Sequence, residues 1–201
     1  MNTKRSMTIV ALVCALYLAS ICGASAAFSL AHRESGFHLG TGLPIDSKEV
    51  AFTNEPDFSG HDVVRSAIIT GSGPKDFMGF AWDRTAEKLH LDLNRDLDLT
   101  NDEGGTFDSE ERRSYMQQFN NIRLVLDHGG ASVPYVVQVY FYTFSGSNRD
   151  GYLTVYSGWQ GEVELHGKRW TFSVVDNLDG VLNQQDQFRL TPKPVSYTHL
   201  R

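Results

Sequence analysis

The chain has 201 residues, 41% of them hydrophobic, with 24 acidic against 18 basic side chains and a formal net charge of −6. That balance makes nucleic acid and anionic membrane surfaces poor partners, and cations better ones. Both cysteines, Cys14 and Cys22, lie near the N-terminus, so disulfides, thiolate ligands and cysteine nucleophiles are excluded from everything after them.

Lys4 and Arg5 precede an apolar run from Met7 to Ile21 and the small residues "GASAA", which is the order of a secretory signal peptide. Cleavage is expected after Ala26, making 1–26 the signal peptide and the remaining chain exported, periplasmic or extracellular. Lipoprotein attachment at Cys22 is the minor alternative, because bulky Ile21 stands where a small residue is wanted. The apolar run is shorter than the ~20 residues that span a bilayer, so no transmembrane helix is expected in the mature chain. At the other end, "VSYTHLR" (195–201) matches the in-frame translation of a transposon-type sequencing adapter. The native sequence is therefore expected to run only to Pro194 here, with the domain truncated on that side. Without Lys4, Arg5 and Arg201, 15 basic residues face 24 acidic ones.

Residues 27–47 show no sustained period and carry Gly36, Gly40, Gly42 and Pro44, which predicts an extended lead-in. Residues 48–194 form the expected β domain. The segments "EVAFT", "DVVRSAIIT", "FMGFAWD", "EKLHLDLN", "NIRLVLD", "PYVVQVYFYTF", "YLTVYSG", "GEVELHG" and "KRWTFSVVD" are short, rich in β-branched and aromatic residues, and many alternate with a period of two. Turn signals such as "GSGP", "DHGG", "SNRDG" and "NLDG" separate them. Strands joined so closely must pair antiparallel, so the expected fold class is all-β, a sandwich or a curled meander. Both faces of "PYVVQVYFYTF" are apolar, which predicts a central strand or one covered on both sides. One stretch, 108–120 ("DSEERRSYMQQFN"), offers either a short helix with Tyr115, Met116 and Phe119 on one face or a loop followed by a strand.

The acidic segments carry the most specific chemistry. Counted from Asp92, the first has Asn94 at position 3, Asp96 at 5, Asp98 at 7, Thr100 at 9 and Glu103 at 12, the ligand spacing of an EF-hand-type Ca2+ loop. Calcium is a hard cation that takes 6–8 oxygens, and clustered carboxylates repel one another without it. Two features depart from the pattern. Leu97 occupies the sixth position, where the sharp turn uses glycine, and the preceding residues alternate like a strand instead of forming a helix. The second segment supplies Asp176, Asn177, Asp179, Gly180, Asn183 and Asp186. Aligned on Gly180, its first position falls on Val175, so the first ligand is either missing or supplied by Asp176 after a shift. The bland alternative for both is a solvated turn in which Asp and Asn cap their own backbone.

"LHLDLNRDLDLTND" together with "GEVELHGKRWTFSVVDNLDGVLNQQDQFRL" resembles a group of exported bacterial proteins of largely uncharacterised function. Their β-rich regions carry motifs like "DLNxNGDLTDD" and "VDxNxDG". In some members a thioredoxin-like thiol-disulfide domain follows. The resemblance implies acidic-loop roles for Asp92, Asn94, Asp96, Asp98 and Asp102, and for Asp176, Asn177, Asp179, Gly180 and Asp186. It transfers no catalytic residue. Leu97 replaces the family's glycine, and "DNLDG" is one residue shorter than the usual form.

No H-E-x-x-H or G-x-S-x-G motif occurs, and the neighbours His61–Asp62 and His90–Asp92 are pairs that an acidic chain provides by chance. Trp82, Trp159, Trp170, Tyr140, Tyr142, Tyr152 and Tyr156 would suit stacking on sugars if exposed, and core packing otherwise. The expected function is therefore an exported, Ca2+-stabilised structural or interaction module, non-enzymatic in the residues present, whose partner is a protein or a polysaccharide. A carbohydrate-binding module, or the N-terminal region of a larger thioredoxin-like redox protein, is the alternative.

Overall fold

Alternation along the chain resolves into thirteen strands among the described residues of a computed structural model, which are 29–37, 43–44, 50–69, 77–113, 115–128, 130–142, 151–165, 167–182 and 186–193. In chain order the strands are β1 (Ala31–Arg33), β2 (Leu43–Pro44), β3 (Val63–Ile69), β4 (Phe77–Asp83), β5 (Lys88–Leu91), β6 (Thr106–Asp108) and β7 (Glu111–Arg113). They continue as β8 (Met116–Asp127), β9 (Ser132–Tyr142), β10 (Gly151–Val155), β11 (Gly158–Leu165), β12 (Lys168–Val175) and β13 (Gln187–Pro192). The signal peptide, the Cys22 site, the tail 195–201, Asn183 and most of "GSGP" and "SNRDG" lie outside the described residues.

The strands pair antiparallel, as the short connections require, and one isolated bridge, Asn54 to Asp98, is parallel. The strands form three sheets: β3-β4-β5-β6, β2-β10-β9-β8-β7 and β1-β11-β12-β13. The all-β expectation holds. The helix option for 108–120 does not. That stretch leaves β6 at Asp108, turns into β7 and runs on as β8, with Glu111 opposite Gln118 and Arg113 opposite Met116. The apolar spacing that suggested a helical face belongs to β8, where Gln117 and Phe119 point into the core and Gln118 points away. "EVAFT" is likewise no strand in its described part. Residues 50–53 pass beside the first acidic loop, with Thr53 N–H donating to the Leu97 carbonyl at 2.7 Å. Four short strands, β1, β2, β6 and β7, fell outside the expected list together with β13, because two or three residues are too few to show a period and β13 is exposed along most of its length.

The middle of the molecule is one apolar core shared by all three sheets. It takes Phe80, Trp82 and Leu89 from the first, Phe119, Tyr135, Val137 and Leu153 from the second, and Trp159, Phe172 and Val174 from the third. Trp82 of β4 stacks on Phe141 of β9, centroids 4.4 Å apart at 13°. Its indole N–H donates to Gln117 Oε1 of β8 at 2.6 Å, which satisfies a polar group that would otherwise be buried unpaired. β9 is central in its sheet, as its apolar pattern implied. Val133, Tyr135, Val137, Val139 and Phe141 are buried, and the opposite face, with Tyr140 and Tyr142, is half-buried.

Candidate metal centre

Both acidic loops begin where a strand ends, and they share one turn plan. β5 hands over to Asp92 and β12 to Asp176, and each of these carboxylates is completely buried. A short acidic side chain at a strand end bonds the backbone N–H groups ahead of it and so winds the chain into a tight turn. Asp92 accepts from Asp96 N–H (3.0 Å) and Leu97 N–H (3.1 Å). Asp176 accepts from Leu178 N–H (2.5 Å) and Gly180 N–H (3.4 Å).

The correspondence continues residue by residue. Asn94 Oδ1 takes Asp96 N–H at 3.0 Å, as Asn177 Oδ1 takes Asp179 N–H at 3.1 Å. Asp96 Oδ1 takes Asp98 N–H at 2.8 Å, and Asp179 Oδ1 takes Val181 N–H at 2.7 Å. A returning carboxylate closes each loop by accepting the asparagine's own N–H at 3.1 Å, Asp102 from Asn94 and Asp186 from Asn177. Two left-handed residues make the bend in each, Arg95 (φ 63°) and Leu97 (φ 67°) in the first, Leu178 (φ 73°) and Gly180 (φ 76°) in the second. Up to Val181 the second loop thus follows the first with one residue fewer after its opening aspartate, while in both the closing carboxylate stands ten residues beyond the opening one. This settles the shifted alignment: Asp176 occupies the opening position, and Val175 stays in β12.

Leu97 adopts the left-handed conformation that the glycine position demands, so the sequence departs from the pattern while the backbone does not. Thr100 donates through N–H (2.9 Å) and Oγ1 (2.5 Å) to Asp98 Oδ1, and those two bonds hold the Asp98 carboxyl below its ordinary range. Glu103, the expected twelfth-position carboxylate, is exposed, and Asp102 is the acid folded back onto the loop.

Proximity differs between the loops. Asp176, Asp179 and Asp186 each bring a carboxylate oxygen within 4.8 Å of the others, and among the described residues this is the one such trio of potential ligands. Asp176 Oδ2 is buried with no hydrogen-bond donor. Burial, then the neighbouring charges of Asp186 and Asp179, push its carboxyl up to about 7. His128 Nε2 lies 3.7 Å from that oxygen, but burial holds this imidazole towards its neutral form and the Tyr135 hydroxyl is its 2.8 Å partner. In the first loop Asp102 Oδ2 is also without a donor, and burial raises both Asp102 and Asp92.

Other sequence candidates resolve differently. His61 pairs with Asp83 at 2.6 Å instead of with Asp62. Burial alone would raise the Asp83 carboxyl, but the N–H groups of Ala86 and Thr85, together with His61, hold it low. The pair anchors the chain entering β3 to the end of β4. His90 bonds Thr106 at 3.0 Å and packs its ring edge-to-face with Phe58. Trp82 and Trp159 are buried, at 1% and 7% exposure, and offer no sugar platform. Tyr140 and Tyr152 stack on each other 5.3 Å apart, with Tyr142 edge-on to both, and Tyr152 is 40% exposed. Among the described residues no helix is long and apolar enough to cross a membrane. No family model matches the chain, and neither a curated protein nor a solved structure matches it.

Proposed function

We propose that this chain is a calcium-stabilised β module of an exported bacterial protein, acting as a structural or interaction domain and not as an enzyme. The observation that carries the reading is the Asp176 carboxylate, completely buried, with one oxygen lacking a donor beside two further carboxylates. A buried charge without a partner is costly, and a cation is the partner this geometry lacks. Side-chain oxygens of Asp176, Asn177, Asp179 and Asp186 would hold it, as would Asp92, Asn94, Asp96 and Asp102 in the matching loop. An all-oxygen donor set on an irregular loop suits Ca2+ better than Zn2+, which takes nitrogen and sulfur, or Mg2+, which demands a near-ideal octahedron. When bound, the ion supplies charge neutralisation and nothing catalytic. The export assignment rests on the order of charges, apolar run and small residues at the N-terminus.

The test is thermal melting at pH 8 in chelator and then in excess Ca2+. Calcium should raise the melting temperature of the native chain. Asp176→Asn should melt higher than the native chain in chelator, because an amide removes the buried charge, and should gain less from calcium. Unchanged melting of the native chain in calcium would refute the reading.

A further inference from the structure

The two loops share a plan but are seated in different surroundings. In the second, Leu178 and Leu182 are buried and belong to the core common to all three sheets. Gly180 lies so close to the end of β8 that a Cβ built on it would stand 2.3 Å from the Asp127 carbonyl. Asp176 sits beside His128, whose ring stacks on Tyr135 of β9 with centroids 5.7 Å apart at 9°. This loop therefore touches the β8–β9 hairpin through an apolar plug, a backbone approach and a buried polar contact.

The first loop engages a strap. Thr53 N–H and Oγ1 both donate to the Leu97 carbonyl, at 2.7 and 2.9 Å. Asn54 Nδ2 donates to Asp98 Oδ2 at 2.7 Å, and Leu99 N–H donates to the Asn54 carbonyl at 3.0 Å. Leu99 is buried but does not belong to the shared core. What this loop holds is the segment 50–54 against the first sheet, where the Phe52 ring covers Gly79.

We propose that the second loop is a cation-set clamp between the third sheet and the β8–β9 hairpin, while the first is a local latch for residues 50–54. The proposal rests on the calcium reading above. Without the ion, the three carboxylates of the second loop repel at close range, and relieving that repulsion moves Leu178 and Leu182 in the core. Opening of the first loop frees the strap and reaches the shared core only through the partly buried Leu93. Loss of calcium is then transmitted across sheets from one loop only.

Hydrogen exchange read by mass spectrometry on the full chain, alongside calorimetric titration with CaCl2, tests this for the native protein, Asp179→Asn and Asp102→Asn. Calcium is expected to slow exchange in 122–137 and 168–178 by about tenfold or more in the native chain and in Asp102→Asn, and not in Asp179→Asn. Exchange in 50–54 should slow in the native chain and Asp179→Asn, and not in Asp102→Asn. Calcium binding at two sites with exchange in 122–137 unchanged, or slowed equally in Asp179→Asn, overturns the clamp and leaves the calcium reading standing. Absence of both binding heat and any exchange change removes the calcium reading itself.

Discussion

Arg95, Leu97 and Leu178 take a backbone conformation that costs a non-glycine residue roughly 1–2 kcal/mol, at φ of 63°, 67° and 73°. The cost is tolerated for different reasons. Leu178 is 1% exposed and gains core burial in return, whereas Arg95 is exposed. Arg95→Gly should therefore stabilise the fold by about 0.5–1 kcal/mol in urea denaturation, the strain relieved slightly exceeding the backbone entropy that glycine adds. The same change at Leu178 should destabilise, because ~2–5 kcal/mol of core packing goes with the side chain. Asp176 sets the pH response of the calcium-free protein. Burial and the neighbouring carboxylates push its carboxyl up to about 7 in the folded chain, against 3.8 for an ordinary aspartate. The folded state thus binds the extra proton between those values, and stability falls as pH rises through them. Between pH 6.5 and 8 the fall should be on the order of 1 kcal/mol in chelator, absent in Asp176→Asn. Below pH 6.5 an opposite trend enters, since burial depresses His32, His90 and His128, and stability that requires them neutral is lost as they charge.

At the scale of elements, the strands with alternating or uniformly apolar patterns were legible, and the edges were not. β3, β4, β5 and β12 fall within segments the sequence marks out, and β8, β9, β10 and β11 overlap them, because these strands carry alternating or continuously apolar runs. The stretch 108–120 misled because Tyr115, Met116 and Phe119 suit a helical spacing as well as the start of β8. The choice was made by pairing: β8 finds β9 along nearly its whole length, with an irregularity between Phe119 and Ile122 where Asn121 turns to φ 55°. The acidic loops are the complementary case. Their residues announce a turn with oxygen ligands, but only the backbone reveals that Asp176 opens the second loop and that Asp102, not Glu103, closes the first. Gly180 is the position where loop and hairpin meet. Gly180→Ala would put a methyl group into the Asp127 carbonyl at a positive φ, and should lower the melting temperature by several degrees in calcium as well as in chelator.

Across the whole molecule, Trp82, Phe141 and Gln117 join the first sheet to the second. Gln117→Met keeps the volume but leaves the indole N–H in the core with no acceptor, and should cost about 1–3 kcal/mol in urea denaturation at a site where Gln117 is 6% exposed. The amino-acid sequence by itself determined the all-β class, the antiparallel pairing and the oxygen-rich character of two loops. Each follows from local causes: alternation, connection length and the chemistry of neighbouring carboxylates. Tertiary structure decided how the strands divide into three sheets, which tryptophans are buried, and which carboxylates meet. Asp176 and Asp186 are ten residues apart in sequence, and their charges interact because the turn between them folds back. His128 reaches Asp176 because two sheets pack on one core. Contacts of that kind depend on how distant segments are packed, a property that no local pattern of residue types encodes.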